Sequence, residues 1–146
     1  SLTTAMVGVV LARSDGTFSN ATFYSTGPHI FPSGLTLGYF NNDTHLDIAM
    51  PNPDADTIFL LMGRGDGTFG DSRVFSVGYD VGPTWIMMRD LNHDGQNDLV
   101  VTYSYEDYIS VILIHLEADF LNESSIQLES GPHPFFVVVA DLDNNT

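Results

Sequence analysis

Asp90, Asn92, Asp94 and Asp98 place four oxygen-bearing side chains at positions 1, 3, 5 and 9 of one short stretch, "DLNHDGQNDL". No cationic side chain lies within those ten residues to neutralise them. Oxygens at this spacing, joined by a main-chain carbonyl at position 7 (Gln96), can converge on a hard divalent cation, with Gly95 supplying the sharp bend. Calcium suits such a loop. It takes six to eight oxygens from flexible segments, whereas magnesium keeps its waters and demands octahedral rigidity. The loop is EF-hand-like only in part, since position 12 is Val101 instead of glutamate and no helices flank it. The alternative without an ion is an Asx-rich hairpin turn, for which Asp and Asn are well suited.

The same loop recurs. Asn41, Asp43 and Asp47, with the carbonyl of His45, form an earlier version in which Tyr39 replaces the first aspartate and Thr44 the glycine. With two carboxylates it is a poorer cation site. A later version holds Asp141, Asp143 and Asn145, and closes around an ion only if further polypeptide or another chain contributes. These loops repeat every 51 residues, as do Phe18, Phe69 and Phe120, then Pro32, Pro83 and Pro134. "RSDGTF" at 13–18 becomes "RGDGTF" at 64–69. The chain of 146 residues is thus about 2.9 copies of one unit, with phases 1–51, 52–102 and 103–146.

Each unit reads as short strands. "TWIMMRD" (84–90) leads into the acidic loop, "DLVVTY" (98–103) leaves it, and "YISVILIH" (108–115) follows after a turn. "RVFSVG" (73–78) completes the set after the "GDGTF" turn. These runs are apolar on both faces, as expected of sheets packed between neighbours. No segment has a helical period. Four-stranded antiparallel units that bury both faces must stack on one another, which predicts an all-β, β-propeller-type array with incomplete terminal blades. In that register "MVGVVL" (6–11) is a third strand and not the core of a signal peptide, and it lacks a basic flank. About ten strands are expected, with open edges at both ends that can template pairing with another chain.

The loops "GYFNNDTHLDIAM" and "RDLNHDGQNDLVV", with "IFLLMGRGDGTF" between them, resemble the FG-GAP/VCBS repeat family, whose best-known members are the integrin α-subunit propellers. The resemblance spans essentially the whole chain. The Gly-Gly doublet of kelch repeats and the Trp-Asp signature of WD40 blades are absent. The resemblance implies that each acidic loop joins the first and second strands of a blade and binds Ca2+.

Composition narrows the function further. Net charge is −15, with four arginines and no lysine, which opposes binding to nucleic acid or anionic membrane. No apolar run is long enough to span a membrane, so no membrane insertion is expected. With no cysteine there is no disulfide framework and no thiolate chemistry. The five histidines have no zinc spacing, and no serine sits in a nucleophile elbow. No catalytic constellation is visible, and the expectation is a protein that is not an enzyme. "RGD" at 64–66 matches the integrin-recognition tripeptide, but its counterpart Arg13-Ser14-Asp15 marks it as part of the turn pattern.

Asn20, Asn42, Asn122 and Asn144 all begin Asn-X-Ser/Thr sequons, two pairs each 102 residues apart. Both phases are expected in turns, where a glycan stands in solvent. Three classes follow. The favoured one is an extracellular, calcium-binding glycoprotein with an adhesive or structural role. Its partners are other copies of itself, closing head to tail into a ring or fibre, further repeats of a longer chain, glycans or extracellular proteins. The second is a lectin-like propeller in which Trp85, Phe135 and Phe136 stack sugars, although core packing between blades is the commoner use of such rings. The third is a calcium-propped lyase or hydrolase.

Overall fold

The computed structural model describes residues 4–28, 33–41, 43–113, 122–127 and 133–140. Ten strands and one 3-10 turn form three antiparallel sheets among these residues. β1 (Thr4–Val9) and β2 (Thr22–Pro28) make a two-stranded sheet. β3 (Thr36–Gly38), β4 (Asp47–Asn52), β5 (Thr57–Gly63) and β6 (Phe69–Ser76) make a four-stranded sheet in chain order. β7 (Pro83–Arg89), β8 (Asp98–Tyr103), β9 (Tyr108–Leu113) and β10 (Asn122–Gln127) repeat that order. The all-β, antiparallel expectation therefore holds over the described residues.

The central strands explain the stacking. All six residues of β4 and all six of β8 are buried, a pattern no half-exposed strand can have. In the β3–β6 sheet, alternate residues serve opposite cores. Ala49, Ile58 and Leu60 face Ile86, Leu99, Val101 and Ile112 of the β7–β10 sheet. Ile48, Met50, Phe59 and Leu61 face Val7 of β1, with Val9 and Tyr24 packed alongside. One sheet thus lies between two others, and its continuous apolar runs follow from having no solvent face.

Strand limits agree with the sequence reading in β8 and differ in β6. That strand begins at Phe69, directly after the tight turn, and ends at Ser76. A register shift between Leu61 and Gly63 lets Gly63 pair with Phe69, extending the strand back across the turn. Asp56 then limits the connection to β7. Its side chain accepts main-chain N–H bonds from Asp80 (2.6 Å), Val81 (3.0 Å) and Gly82 (2.8 Å), and its carbonyl accepts that of Val77 (2.9 Å).

The burial pattern sets the stability expectation. Leu99→Ala removes a side chain that is 0% exposed between two sheets and should cost about 2–5 kcal/mol in urea denaturation. Leu35→Ala, at a position 50% exposed, should cost less than about 1 kcal/mol. Equal losses would contradict the assigned core.

Candidate metal centre

The two acidic loops within the described residues share one wiring pattern. Asn92 Oδ1 accepts the Asp94 N–H (2.9 Å), Asn92 Nδ2 donates to Asp94 Oδ2 (2.9 Å), and Asp94 Oδ1 accepts the Gln96 N–H (2.9 Å). In the earlier loop, Asn41 Oδ1 accepts the Asp43 N–H (3.1 Å) and Asn41 Nδ2 donates to Asp43 Oδ2 (2.8 Å). Asp43 Oδ1 accepts the His45 N–H (2.9 Å) in turn. Each is a pair of overlapping Asx turns that curls the chain between strands.

The loops differ where their sequences do. Asp90 adds two bonds, accepting the Asp94 N–H (3.2 Å) at Oδ1 and the Gly95 N–H (3.0 Å) at Oδ2. Its counterpart Tyr39 has no carboxylate, and its N–H is instead donated to Asn97 Oδ1 (3.2 Å). That bond sets the two loops side by side. Gly95 sits at φ 86°, and Thr44 holds the same left-handed turn at φ 62°. A β-branched residue there is strained, so the earlier loop keeps its shape at a cost of roughly 1–2 kcal/mol.

Position 9 behaves differently from the rest. Asp47 and Asp98 are both 0% exposed, and each opens a buried central strand. Asp47 Oδ2 accepts the Phe40 N–H (2.9 Å) and Oδ1 accepts the Gly63 N–H (2.7 Å), tying loop, β4 and β5 together. Asp98 Oδ2 accepts the Leu91 N–H (2.9 Å). Burial pushes the Asp47 carboxyl above the usual carboxylate range, with the two N–H bonds opposing it and the Asp43 charge adding to it. Asp43, exposed, lies below that range: the His45 N–H holds it down against a smaller opposing effect of burial, with help from Asn41 and the His45 ring, whose Nδ1 is 3.5 Å from Oδ2.

The donor set of the second loop fits a hard cation: carboxylates from Asp90, Asp94 and Asp98, the Asn92 amide oxygen and the Gln96 carbonyl. In this structure those carboxylates are turned toward N–H donors. Among the described residues no three His, Cys, Asp or Glu side chains are gathered closely enough to hold a metal ion. Asp141, Asp143 and Asn145 lie outside the described residues.

The "RGD" turn is engaged internally. Asp66 Oδ1 accepts the Thr68 N–H (2.8 Å) and hydroxyl (2.6 Å), as Asp15 does with Thr17. Gly65, at φ 79°, lies directly against the His45 ring, and the Arg64 guanidinium lies over Gly70. Trp85 packs edge-on against Phe136 (4.8 Å between centroids), and Phe136 against Phe135 (4.9 Å). Of the sequons, Asn20 is exposed just before β2. Asn122 opens strand β10, pairing with Leu113, instead of lying in a turn, because the outermost strand begins earlier than its sequence marks. Asn42 and Asn144 lie outside the described residues.

The sequence reading missed Asp56 as an anchor. Its only signal was a counterpart, Asp107, one repeat later, and that residue pairs with His133 at 3.5 Å.

Residues 40–101 match the family model described as an FG-GAP-like repeat, so this stretch of the chain is similar to an FG-GAP-like repeat. It includes both acidic loops whose geometry is described above. No curated protein and no solved structure matches the chain. No described helix is long and apolar enough to cross a membrane.

The two anchoring aspartates should respond to pH with opposite signs. Asp47 is raised, so the stability it contributes is full below the ordinary carboxylate pKa and is lost as pH rises through its raised value. Burial also pushes Asp56 up, but the Gly82, Asp80 and Val81 N–H bonds outweigh it and leave the net pKa lowered. Its contribution is therefore present above the ordinary value and lost as pH falls through the lowered one. Urea denaturation across the acid range, each referenced to Asp47→Asn or Asp56→Asn, should give slopes of opposite sign. Slopes of the same sign would refute the assignment.

Proposed function

We propose that the chain is a non-enzymatic, extracellular calcium-binding repeat module of β-propeller type, with an adhesive or structural role. The observation that carries this reading is the pair of overlapping Asx turns shared by two acidic loops 51 residues apart, set side by side by Tyr39 and Asn97 at the ends of stacked sheets. Each loop leads into a fully buried strand, so a cation held there would brace the first and second strands of a blade against each other. In the second loop Asp90, Asn92, Asp94, Asp98 and the Gln96 carbonyl would hold the ion. In the first, Asn41, Asp43, Asp47 and the His45 carbonyl would do so, with less charge. The ion supplies electrostatic cross-linking; the chain supplies the curvature, through Gly95 and the Asn-to-main-chain bonds.

Binding exchanges N–H donors for the cation at Asp90 and Asp94, whose side chains lie at half-buried and exposed positions where such an exchange costs little. With net charge −15, neutralising three carboxylates also relieves repulsion across the loop. Asn20, exposed, and Asn122, at the start of an edge strand, are proposed glycan acceptors, consistent with an extracellular setting. Intact-mass measurement before and after N-glycosidase treatment of protein from a glycosylating host should show a mass loss; an unchanged mass removes the glycoprotein assignment.

A carbohydrate-binding propeller is a second reading, favoured by the Trp85, Phe135 and Phe136 rings, of which the two phenylalanines are 63% exposed. A glycan array without signal removes it.

Calcium at about 100 times its Kd should stabilise the fold by about 2.7 kcal/mol, a rise in Tm of roughly 5–10 °C over chelator-treated protein. Asp94→Ala should abolish most of that rise, and magnesium should not reproduce it. Identical melting in calcium and in chelator would end the proposal.

A further inference from the structure

We propose that a cleft between the first acidic loop and β6 binds a singly charged acidic sugar through Arg64 and Arg73. The inference goes beyond the calcium reading and uses no cation. The cleft encloses about 230 Å³. Its depth is apolar, with Phe40 and Gly63 buried and Met62 half-buried. Its charged lining is exposed: Arg64 and Arg73, with Asp43 and Asp71. Two of the four arginines thus share one small cleft in a chain of net charge −15. Neither is matched from within. The ion pairs among the described residues, His45–Asp43 and His133–Asp107, include neither arginine, and no described residue accepts a hydrogen bond from either guanidinium.

The local fold aims these groups. In β6, Gly70 and Asp71 together stand opposite the single Met62, between the pairs Gly63–Phe69 and Leu61–Ser72. Such a bulge turns a side chain out of the regular alternation of its strand. Gly70, without a Cβ, lets the Arg64 guanidinium lie across the strand. The other repeats do something different with the same positions. Arg13, the counterpart of Arg64, donates from Nη1 to the Phe18 carbonyl of its own turn (3.0 Å), and Ser19 stands where Gly70 does. Asp71 and Arg73 occupy the first and third places of a triplet that reads Asn20-Ala21-Thr22 and Asn122-Glu123-Ser124 in the other two repeats. The middle repeat has exchanged a sequon for two charged residues that line the cleft, and an aspartate there accepts no N-linked glycan.

The charges define the ligand's chemistry. Guanidinium forks take a carboxylate bidentately, in a planar geometry that lysine does not offer. Asp43 and Asp71, when ionised, are acceptors only, and hydroxyl groups satisfy them. Two positive and two negative groups leave the cleft with no net charge, so a dianion such as phosphate would meet uncompensated repulsion from the two carboxylates. A single carboxylate on a ring of hydroxyls, as in a hexuronic acid, matches both sets, and Phe40 and Met62 face its C–H groups. The volume lies below the roughly 300–1,000 Å³ of drug-sized sites, which suits one sugar ring.

The test titrates the full chain with methyl β-glucuronide and follows amide shifts in 1H–15N spectra. Asp43 also belongs to the first proposed cation loop, so the titration is run in chelator, and its failure leaves the calcium reading, judged by melting, untouched. Saturable shifts are expected at Met62, Gly70 and Asp71. Methyl β-glucoside, which lacks the carboxylate, and acetate, which lacks the hydroxyls, should each bind about tenfold more weakly or worse. Arg73→Gln should weaken glucuronide binding by about tenfold, whereas Arg13→Gln, an equal loss of charge one repeat away, should not. Gly70→Ala keeps every charge but sets a Cβ 2.7 Å from Arg64 Nε, so the guanidinium must move and binding should fall as well. Absence of shifts at those three amides in an otherwise folded spectrum would overturn the inference. Equal affinities for glucuronide and glucoside, tighter binding of phosphate, or equal losses from Arg13→Gln and Arg73→Gln would do the same.

Discussion

A buried aspartate begins each central strand, and the rest of the arrangement depends on that constraint. Asp47 is wholly enclosed, and its two oxygens reach backward to Phe40 and forward to Gly63. One side chain thereby fixes where the acidic loop ends, where β4 begins and how β5 leaves the sheet. A carboxylate in such a position is costly unless its oxygens are satisfied, so the main chain around it is held to one geometry. Asp98 repeats the arrangement through Leu91. The loops that could carry a cation are thus positioned from beneath by a carboxylate that is itself one of the proposed ligands.

This divides the acidic residues into two groups by task. Asp47, Asp56 and Asp98 fasten backbone to backbone. Asp90 and Asp94 lie at the surface of the second loop, bonded only to amides of the loop itself. The first group makes the stacked sheets rigid. The second can change partners without disturbing them. The charge that looked unbalanced in the sequence is therefore largely matched by N–H dipoles; a cation would replace those partners at Asp90 and Asp94 and add to them at Asp98. The strained left-handed Thr44 and the missing carboxylate at Tyr39 make the first loop the lesser of the two on structural grounds as well as by ligand count.

Much of this was legible in the sequence because the repeat multiplies each signal. β8 runs from Asp98 to Tyr103 as read, since its β-branched run is bounded by an aspartate and a serine. The burial of both faces of β4 and β8 followed from runs with no polar alternation. Three features were not legible. The early start of β6 depends on a register shift at Gly63, a pairing property that no single strand reveals. The role of Asp56 depends on a loop 24 residues further on being folded back over it. The direction in which the carboxylates of Asp90 and Asp94 point depends on the curl of the main chain; the spacing of oxygens indicates a cation and an Asx turn equally well.

The most direct test of the account is a calcium titration followed by amide chemical shifts in 1H–15N spectra. The account predicts saturable shifts at Asp94, Gly95 and Gln96, whose N–H groups now bond to Asp90, Asn92 and Asp94, while Asp80 and Gly82, bonded to the Asp56 anchor outside both loops, stay unmoved. Absence of shifts at those three residues, or weak shifts spread over every exposed acidic turn including those at Asp15 and Asp66, would contradict it.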